Sequence, residues 1–240
     1  MTRPALRTAE VSRANCNTRM VAGSNGHHAA GRPVLERDRS PQSGDRREIL
    51  GTPEWILASG YLSDAFSLAA KAHGSQRRPS DGRLFLEHVS EVAGLLHRLE
   101  FDEELVAVGL LHDSVERGTL TESELRDEMG DSIAWLVMVL SEDPTIESFE
   151  ARKAALRAQV AAAGMRAITV FAADKLSDIA GLRRGIDASQ EAAEGRMGTS
   201  VASMADHYRD SVEMIAEVRP GSAFLSALRL ELGRLDVAAA

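Results

Sequence analysis

A histidine and two carboxylic acids follow an apolar run in the middle of the chain. Val106–Leu111 holds only apolar residues and glycine; His112 and Asp113 come directly after it, and Glu116 lies three residues further on. An apolar run predicts burial, and burying an ionised carboxylate without compensation is costly. Either a metal ion or an ordinary His–Asp pair at a helix end would compensate the charge.

A second carboxylate in apolar surroundings is Asp174, which follows Val170–Ala173. Imidazole and carboxylate together suit Mn, Fe, Zn or Mg better than Ca alone. Two histidines and two aspartates from three helices would form a mixed nitrogen and oxygen site with positions open for water and substrate. Such a site lowers the pKa of bound water and polarises a phosphoryl oxygen.

Of the seven histidines, three are candidates for such a site: His73, His88 and His112. His97 is expected at a surface or boundary position, and His207 on a helix surface. The remaining pair, His27 and His28, falls in the N-terminal segment, where no functional role is expected.

The elements that must position these residues are predicted to be helices. Alanine and leucine abound and aromatic residues make up only 4% of the chain, which favours an all-α fold. Thr121 and Glu124 form a capping-box pattern at the start of one helix. No strand is predicted, and residues 185–199 are expected to be a loop with a partly helical piece. The helical periodicity predicts segments 53–73, 87–99, 102–117, 122–129, 132–141, 147–163, 165–184, 200–218 and 220–236.

The charge distribution divides the chain into two parts. Residues 1–50 carry a net charge of +4, show no sustained periodicity and are predicted to be a disordered, arginine-rich tail. Residues 51–240 carry −12 and are predicted to form a single domain that includes two C-terminal helices. A domain of this charge is a poor duplex nucleic-acid binder, because such binding needs a basic surface. A small phosphorylated ligand remains compatible with it.

Targeting signals are also missing from the sequence. No apolar run approaches the roughly 20 residues that span a bilayer, so no membrane association is expected, and the N-terminus lacks the apolar core of a secretory signal. One cysteine, Cys16, leaves no internal disulfide. We therefore expect a cytoplasmic protein, and the sequence does not indicate its oligomeric state.

Three segments, in this order, resemble a known family: "KAHGSQRRPSDGRLFLEHVSEVAGLL", "ELVAVGLLHDSVERGTLTESELRDEMGDSIAWLV" and "FAADKLSDIAGLR". They are similar to the HD-domain guanosine polyphosphate pyrophosphohydrolases, the hydrolase half of the RelA/SpoT family and its short stand-alone relatives. The resemblance runs from about residue 60 to 184. It implies an HD-type helical bundle and one Mn²⁺ ion, with ligands that match His88, His112, Asp113 and Asp174.

The resemblance also implies roles for other residues. Glu116 matches an acid associated with water activation or proton transfer, so Glu116 and Asp113 are the implied catalytic residues. The implied substrate-binding residues are Arg77, Arg78, Lys175 and Asp178. His73 matches a helix-packing position and is left out of the metal set.

The implied reaction is metal-assisted hydrolysis, in which water attacks a phosphorus atom of the 3′-pyrophosphate of a stringent-response nucleotide. The products would be pyrophosphate and guanosine 5′-di- or triphosphate. Three residues depart from the family pattern. Arg117 stands where an acid is usual, Phe85 where a tyrosine is usual, and Asp178 where an asparagine is usual.

These departures keep two alternatives open. One is the same chemistry on another nucleotide or phosphate ester. The other is a degenerate domain that binds a nucleotide or a partner without turnover. Arg117 and Asp178 favour the degenerate domain, whereas the complete ligand set argues against it.

Overall fold

The computed structural model describes residues 52–239, and this part of the chain is built from helices. No strand occurs within it; Arg77 and Leu84 form an isolated β-bridge. The all-α prediction is confirmed. The helices, in chain order, are α1 (Glu54–Leu57), α2 (Gly60–His73), α3 (Phe85–Arg98), α4 (Glu103–Leu111), α5 (Glu122–Met129), α6 (Asp131–Leu140), α7 (Phe149–Ala163), α8 (Met165–Met197), α9 (Val201–Val218) and α10 (Leu225–Ala238).

Helix α4 is the centre of the bundle. Every residue from Leu105 to Leu111 is buried, and the helix packs against α2, α3, α6 and α8. A helix that is apolar all round must be covered on all sides. Asp102 caps its N-terminus by accepting a hydrogen bond from the backbone N–H of Leu105 (2.8 Å). Because its last residues are buried, α4 ends in the interior of the bundle.

The chain leaves α4 earlier than the periodicity predicts. The α-helix ends at Leu111, and residues 112–118 form tight turns instead of the predicted continuation to 117. The backbone N–H groups of Arg117 and Gly118 both donate to the carbonyl of Asp113. At Gly118 an added Cβ would lie 2.4 Å from the carbonyl oxygen of Ser114, so the turn closes too tightly for a side chain.

Two further boundaries differ from the prediction. The expected helix 53–73 is divided, since α1 ends at Leu57 and Ser59 caps α2 by accepting from the N–H of Leu62 (3.3 Å). Residues 185–199 are largely helical, because α8 continues to Met197. Its one interruption is an extended backbone at Ser189, whose Oγ accepts from the N–H of Ala192 (3.3 Å).

The segment between α2 and α3 forms a turn that places the side chain of Arg78 in the interior. The backbone N–H of Arg78 donates to the carbonyl of Arg83, and the N–H of Phe85 donates to the carbonyl of Gln76 (both 2.8 Å). The guanidinium of Arg78 is buried against α8. Gly181 makes room for it, because a Cβ there would lie 2.5 Å from Cζ of Arg78.

Two further predictions concern the N-terminal tail and membrane association. The predicted tail, residues 1–50, lies outside the described residues. Among the helices between residues 52 and 239, none combines the length and the apolar character that crossing a membrane requires.

Candidate metal and phosphate site

Three helices bring two imidazoles and an aspartate together. His88 comes from the first turn of α3, His112 follows the end of α4, and Asp174 lies on α8. Oδ1 of Asp174 lies 3.3 Å from Nε2 of His88 and 3.5 Å from Nε2 of His112. One potential ligand atom from each of the three lies within 4.8 Å of the others.

Asp113 lies at the edge of the same cluster. Its Oδ2 is 3.7 Å from Nε2 of His88 and 3.5 Å from Nε2 of His112. The structure therefore brings all four side chains of the sequence-predicted ligand set into one buried group.

The hydrogen bonds of His112 fix which nitrogen faces this group. Its Nδ1 lies 2.9 Å from the carbonyl oxygen of Gly109, which only accepts, so Nδ1 carries a hydrogen. Nε2 is buried and has no hydrogen-bond partner among the described residues. An unpaired buried nitrogen aimed at two carboxylates is the arrangement a metal ion satisfies.

His88 is oriented by a chain of two further side chains. Oγ of Ser177 donates to Oε2 of Glu91 (2.8 Å), because a carboxylate only accepts. The single hydroxyl hydrogen is thus used, and Ser177 accepts from Nδ1 of His88 (3.1 Å). Nε2 of His88 is left with its lone pair toward Asp174. Burial, together with the charge of Arg78, lowers the pKa of His88 and keeps this imidazole neutral.

Each aspartate divides its oxygens between the cluster and a cation. Asp174 presents Oδ1 to the imidazoles, while its Oδ2 lies 2.9 Å from Nζ of Lys175. Asp113 presents Oδ2 to them, while its Oδ1 lies 3.6 Å from Nε of Arg117. Burial disfavours the charge of Asp174, but Lys175 outweighs this and holds its pKa well below the usual range. Lys175 thus helps to fix the orientation of Asp174, whereas Arg117 only lies beside the outer oxygen of Asp113.

Glu116 is half-buried and lies beside Asp113 at the edge of the cluster. Its Oε2 accepts a hydrogen bond from the backbone N–H of Glu142 (2.7 Å), and its Oε1 lies 3.5 Å from Nη2 of Arg117. Burial and the charge of Asp113 raise the pKa of Glu116, although Arg117 opposes them. A raised pKa moves a carboxylate toward the range useful for proton transfer at neutral pH.

The predicted substrate-binding residues fall into two groups. Arg78, Lys175 and Asp178 form one ion-pair network, in which the two cations are buried and Asp178 is half-buried. Arg78 Nη2 lies 3.0 Å from Asp178 Oδ1, and Lys175 Nζ lies 2.6 Å from Asp178 Oδ2. Arg77 is not part of this network. It is exposed and donates to the carbonyl of Gly82 (2.9 Å).

A cavity of about 340 Å³ opens beside the cluster. Its lining includes five cationic and five anionic side chains, so its formal charge is close to zero before any ligand enters. Apolar side chains make up another part of the wall. The cations are Arg78, Arg117, Arg152, Lys153 and Lys175, and the apolar wall includes Phe85, Leu140, Phe149, Leu156, Met197 and Met204.

The structure corrects the expectation that His207 lies on a helix surface. It is buried on the cavity wall, and Nη1 of Arg157 lies 2.9 Å from its Nδ1. Burial and the neighbouring lysines, Lys175 and Lys153, lower the pKa of His207 to about 2. The contacts come from α7 and α8, and no local pattern around residue 207 reveals them. His97 is exposed and stacks on Trp55, as expected of a surface or boundary position.

Known proteins share this architecture and its motifs. Residues 65–183 match the family model described as the HD domain, and this part of the chain is an HD domain. Within the chain, 76 residues are 42% identical to a GTP pyrophosphokinase of Myxococcus xanthus, covering 32% of this chain and 10% of that protein. Another match, 39% identical over 70 residues, is to a guanosine-3′,5′-bis(diphosphate) 3′-pyrophosphohydrolase of Haemophilus influenzae and covers 29% of this chain and 10% of that protein.

The chain thus spans about a tenth of the length of these curated relatives. Solved structures are similar over more of it. One, described as a metazoan orthologue of SpoT that hydrolyses ppGpp, has a TM-score of 0.57 and 23% identity over 77% of this chain and 96% of that one. A protein of Listeria monocytogenes EGD-e has a TM-score of 0.53 and 26% identity over 60% of this chain and 90% of that one. The predicted resemblance to the HD domains of the RelA/SpoT family is confirmed.

Proposed function

We propose that the protein is a metal-dependent phosphohydrolase that removes the 3′-pyrophosphate of guanosine 3′,5′-polyphosphates, with Mn²⁺ as its metal and the cytoplasm as its location. One observation carries the proposal. Two imidazole Nε2 atoms and two aspartates meet on the wall of a cavity that also holds Glu116 and five cationic side chains.

The donor set fits a divalent cation. His88, His112 and Asp174 supply two nitrogens and one oxygen, and Asp113 supplies a second oxygen beside them. Both imidazoles have Nδ1 engaged and Nε2 directed inward, which is the orientation of metal-binding histidines. Mn²⁺ accepts such mixed ligands, as do Fe, Zn and Mg. A bound divalent cation supplies a Lewis acid that polarises a phosphoryl oxygen and lowers the pKa of a nearby water.

Glu116 is the proposed proton acceptor. Its Oε2 is occupied by the backbone N–H of Glu142, so Oε1 is the atom left to take a proton from an attacking water. Because burial and Asp113 raise its pKa, Glu116 is a stronger base than an exposed glutamate. Glu142 is itself fixed, since Nε of Arg152 lies 2.6 Å from its Oε2 and Lys153 pairs with its Oε1.

The cavity as a whole suits a nucleotide. The cations of the lining suit phosphate oxygens, and a bound metal ion would make the cavity net positive. The apolar part of the lining offers the ring of Phe149 and the side chains of Leu140, Leu156 and Met204 to a base. A volume of about 340 Å³ lies within the range of small-molecule pockets.

The same chemistry on a different nucleotide or phosphate ester is the second candidate, and Asp178 favours it. Both of its oxygens are bonded, one to Arg78 and one to Lys175, and these cations hold its pKa far below the usual range against the opposing effect of burial. An ionised aspartate, unlike the asparagine usual in the family, has no N–H group to donate to a guanine base. This candidate keeps the metal ligands and Glu116 and changes only the substrate.

The decisive experiment measures pyrophosphate release from guanosine tetraphosphate by the full chain. It is run with Mn²⁺, with Mn²⁺ plus a chelator, and on the Asp113→Ala variant. Metal-dependent release that the variant lacks supports the proposal. Phosphate or pyrophosphate release only from other nucleotides in a parallel panel supports the second candidate. Mn²⁺ binding without release from any nucleotide supports a non-catalytic binding domain and overturns both.

A further inference from the structure

We infer that Arg117 is a phosphate-binding residue of this site. Its guanidinium holds an oxygen of a phosphoryl group that lies at the proposed metal ligands. The inference rests on the proposed function for the class of ligand, an anionic phosphate compound. Arg117 departs from the family pattern, which usually has an acid at this position.

The first argument is the position of the guanidinium. Nε lies 3.6 Å from Oδ1 of Asp113, and Nη2 lies 3.5 Å from Oε1 of Glu116. The other oxygen of Asp113 faces the two imidazoles. Arg117 is therefore separated from the metal cluster by a single carboxylate, and it lies beside the proposed proton acceptor. A phosphoryl group held between cluster and Glu116 comes within reach of its N–H groups.

The second argument is that the N–H groups of Arg117 are free. All the other arginine and lysine side chains that line the cavity donate hydrogen bonds. Arg78 donates to Asp178, Lys175 to Asp178, and both Arg152 and Lys153 to Glu142. The guanidinium of Arg117 makes ion pairs only, and no hydrogen bond joins it to another residue of the described part of the chain.

The third argument is access. The side chain of Arg117 is 38% exposed and lines the cavity, whereas the side chains of Arg78 and Lys175 are 4% and 7% exposed. A guanidinium presents two parallel N–H groups that match two phosphate oxygens, and such charge-assisted bonds are among the strongest in proteins. Arg117 can form them without breaking any hydrogen bond it already makes.

The backbone holds this side chain at the site. The N–H of Arg117 donates to the carbonyl of Asp113 (2.9 Å), and its carbonyl accepts from Nε2 of Gln76 (3.0 Å). The backbone of Arg117 is thus held on both sides of its Cα, while its side chain is free to turn toward a ligand. A residue that only filled the cavity would need no such free donors.

The test is the binding of inorganic pyrophosphate, by calorimetry, to the full chain at a fixed free Mn²⁺ concentration. The variants are Arg117→Gln and Arg117→Lys. The matched control is Arg126→Gln, since Arg126 is 47% exposed and pairs with Glu122 outside the cavity. Mn²⁺ affinity is measured separately for each protein.

We expect Arg117→Gln to weaken pyrophosphate binding by about tenfold or more, the loss of a charge-assisted hydrogen bond. Arg117→Lys should retain part of the affinity, and the control all of it. Mn²⁺ affinity should not fall in any of them. Equal or tighter pyrophosphate binding by Arg117→Gln would show that Arg117 obstructs the cavity and would overturn the inference. So would a parallel fall in Mn²⁺ affinity, which marks a residue that only positions Asp113.

This test separates the inference from the proposed function, because it needs no turnover. If the wild type releases no pyrophosphate from any nucleotide, but binds it in an Arg117-dependent way, the proposed function fails and the inference stands. If guanosine tetraphosphate is hydrolysed with unchanged KM by Arg117→Gln, the inference fails and the proposed function stands.

Discussion

Ser177 on α8 accepts a hydrogen bond from Nδ1 of His88 on α3 and donates a hydrogen bond to Glu91. The three side chains form a chain that sets the ring plane of His88 and directs Nε2 toward Asp174. Residues behind a metal-binding histidine influence affinity through this kind of orientation. Neither Ser177 nor Glu91 belongs to the site residues that the sequence predicts.

Replacing Ser177 with alanine should therefore weaken metal binding while leaving every proposed ligand in place. We expect the dissociation constant for Mn²⁺ to rise by about tenfold or more, measured by calorimetry. Ser90→Ala is the control, because Ser90 lies on α3 but donates to the carbonyl of Leu86 within its own helix. Unchanged affinity in Ser177→Ala would show that the ring of His88 is held by packing alone.

Removing a proposed ligand should have a larger effect than removing its support. His88→Ala or Asp174→Ala should abolish measurable Mn²⁺ binding and, with it, hydrolysis, because the site then loses one of its converging donors. His97→Ala is the matched control, since His97 is exposed and stacks on Trp55. A His88→Ala protein that still bound Mn²⁺ with wild-type affinity would refute the ligand assignment.

Replacing Glu116 should lower turnover without weakening metal binding. Glu116→Gln keeps the shape of the side chain but removes the proton acceptor, so kcat should fall by about 10²- to 10⁴-fold. Mn²⁺ affinity should stay close to that of the wild type, and Glu128→Gln, an exposed acid on α5, should change neither. Wild-type kcat in Glu116→Gln would assign proton transfer to another group.

Mn²⁺ binding should release a proton from His112. In the metal-free site burial disfavours its charge, but Asp113 and Asp174 raise the pKa of His112 to about 9. A ligand imidazole must be neutral at Nε2, so affinity should fall as the pH drops below about 9. Calorimetry at pH 7.5 in buffers of different ionisation enthalpy should show net proton release. Heats that do not depend on the buffer would contradict this.

His207 should make the fold sensitive to acid. Its pKa is lowered to about 2 in the folded state, whereas an unfolded histidine titrates near 6.5. Below about pH 6.5 the unfolded chain binds the extra proton, so this residue removes stability as the pH falls, by about 1.4 kcal/mol per unit. His207→Gln should lose less stability than the wild type between pH 7.5 and 5.5 in urea unfolding. Equal losses would mean that His207 is solvated.

Part of this fold is predictable because its signals are local. The capping box of Thr121 and Glu124 starts α5 at the predicted residue, with both reciprocal hydrogen bonds present. The apolar run before His112 predicts the burial of α4. The proposed metal ligands are also predicted from sequence, because the segments that contain them resemble a known family.

The rest depends on contacts between distant segments. His207 is buried by Arg157 and by lysines of α7 and α8, which no pattern near residue 207 encodes. The polar composition of residues 185–199 suggests a loop, yet Val201 donates its N–H to Glu194 and Arg196 donates to the carbonyl of Ser80, so tertiary bonds stabilise the helix. The Glu91–Ser177 pair joins residues 86 positions apart.

The wide separation of the proposed ligands along the chain has a thermodynamic consequence. Residues 88, 112 and 174 converge only when α3, α4 and α8 are packed against one another, so an unfolded chain offers a metal no comparable site. Occupancy and folding are then linked by mass action: free metal at 100 times its dissociation constant adds about 2.7 kcal/mol to stability. The melting temperature of this protein should therefore rise with Mn²⁺ concentration, making thermal stability a gauge of the cation supply.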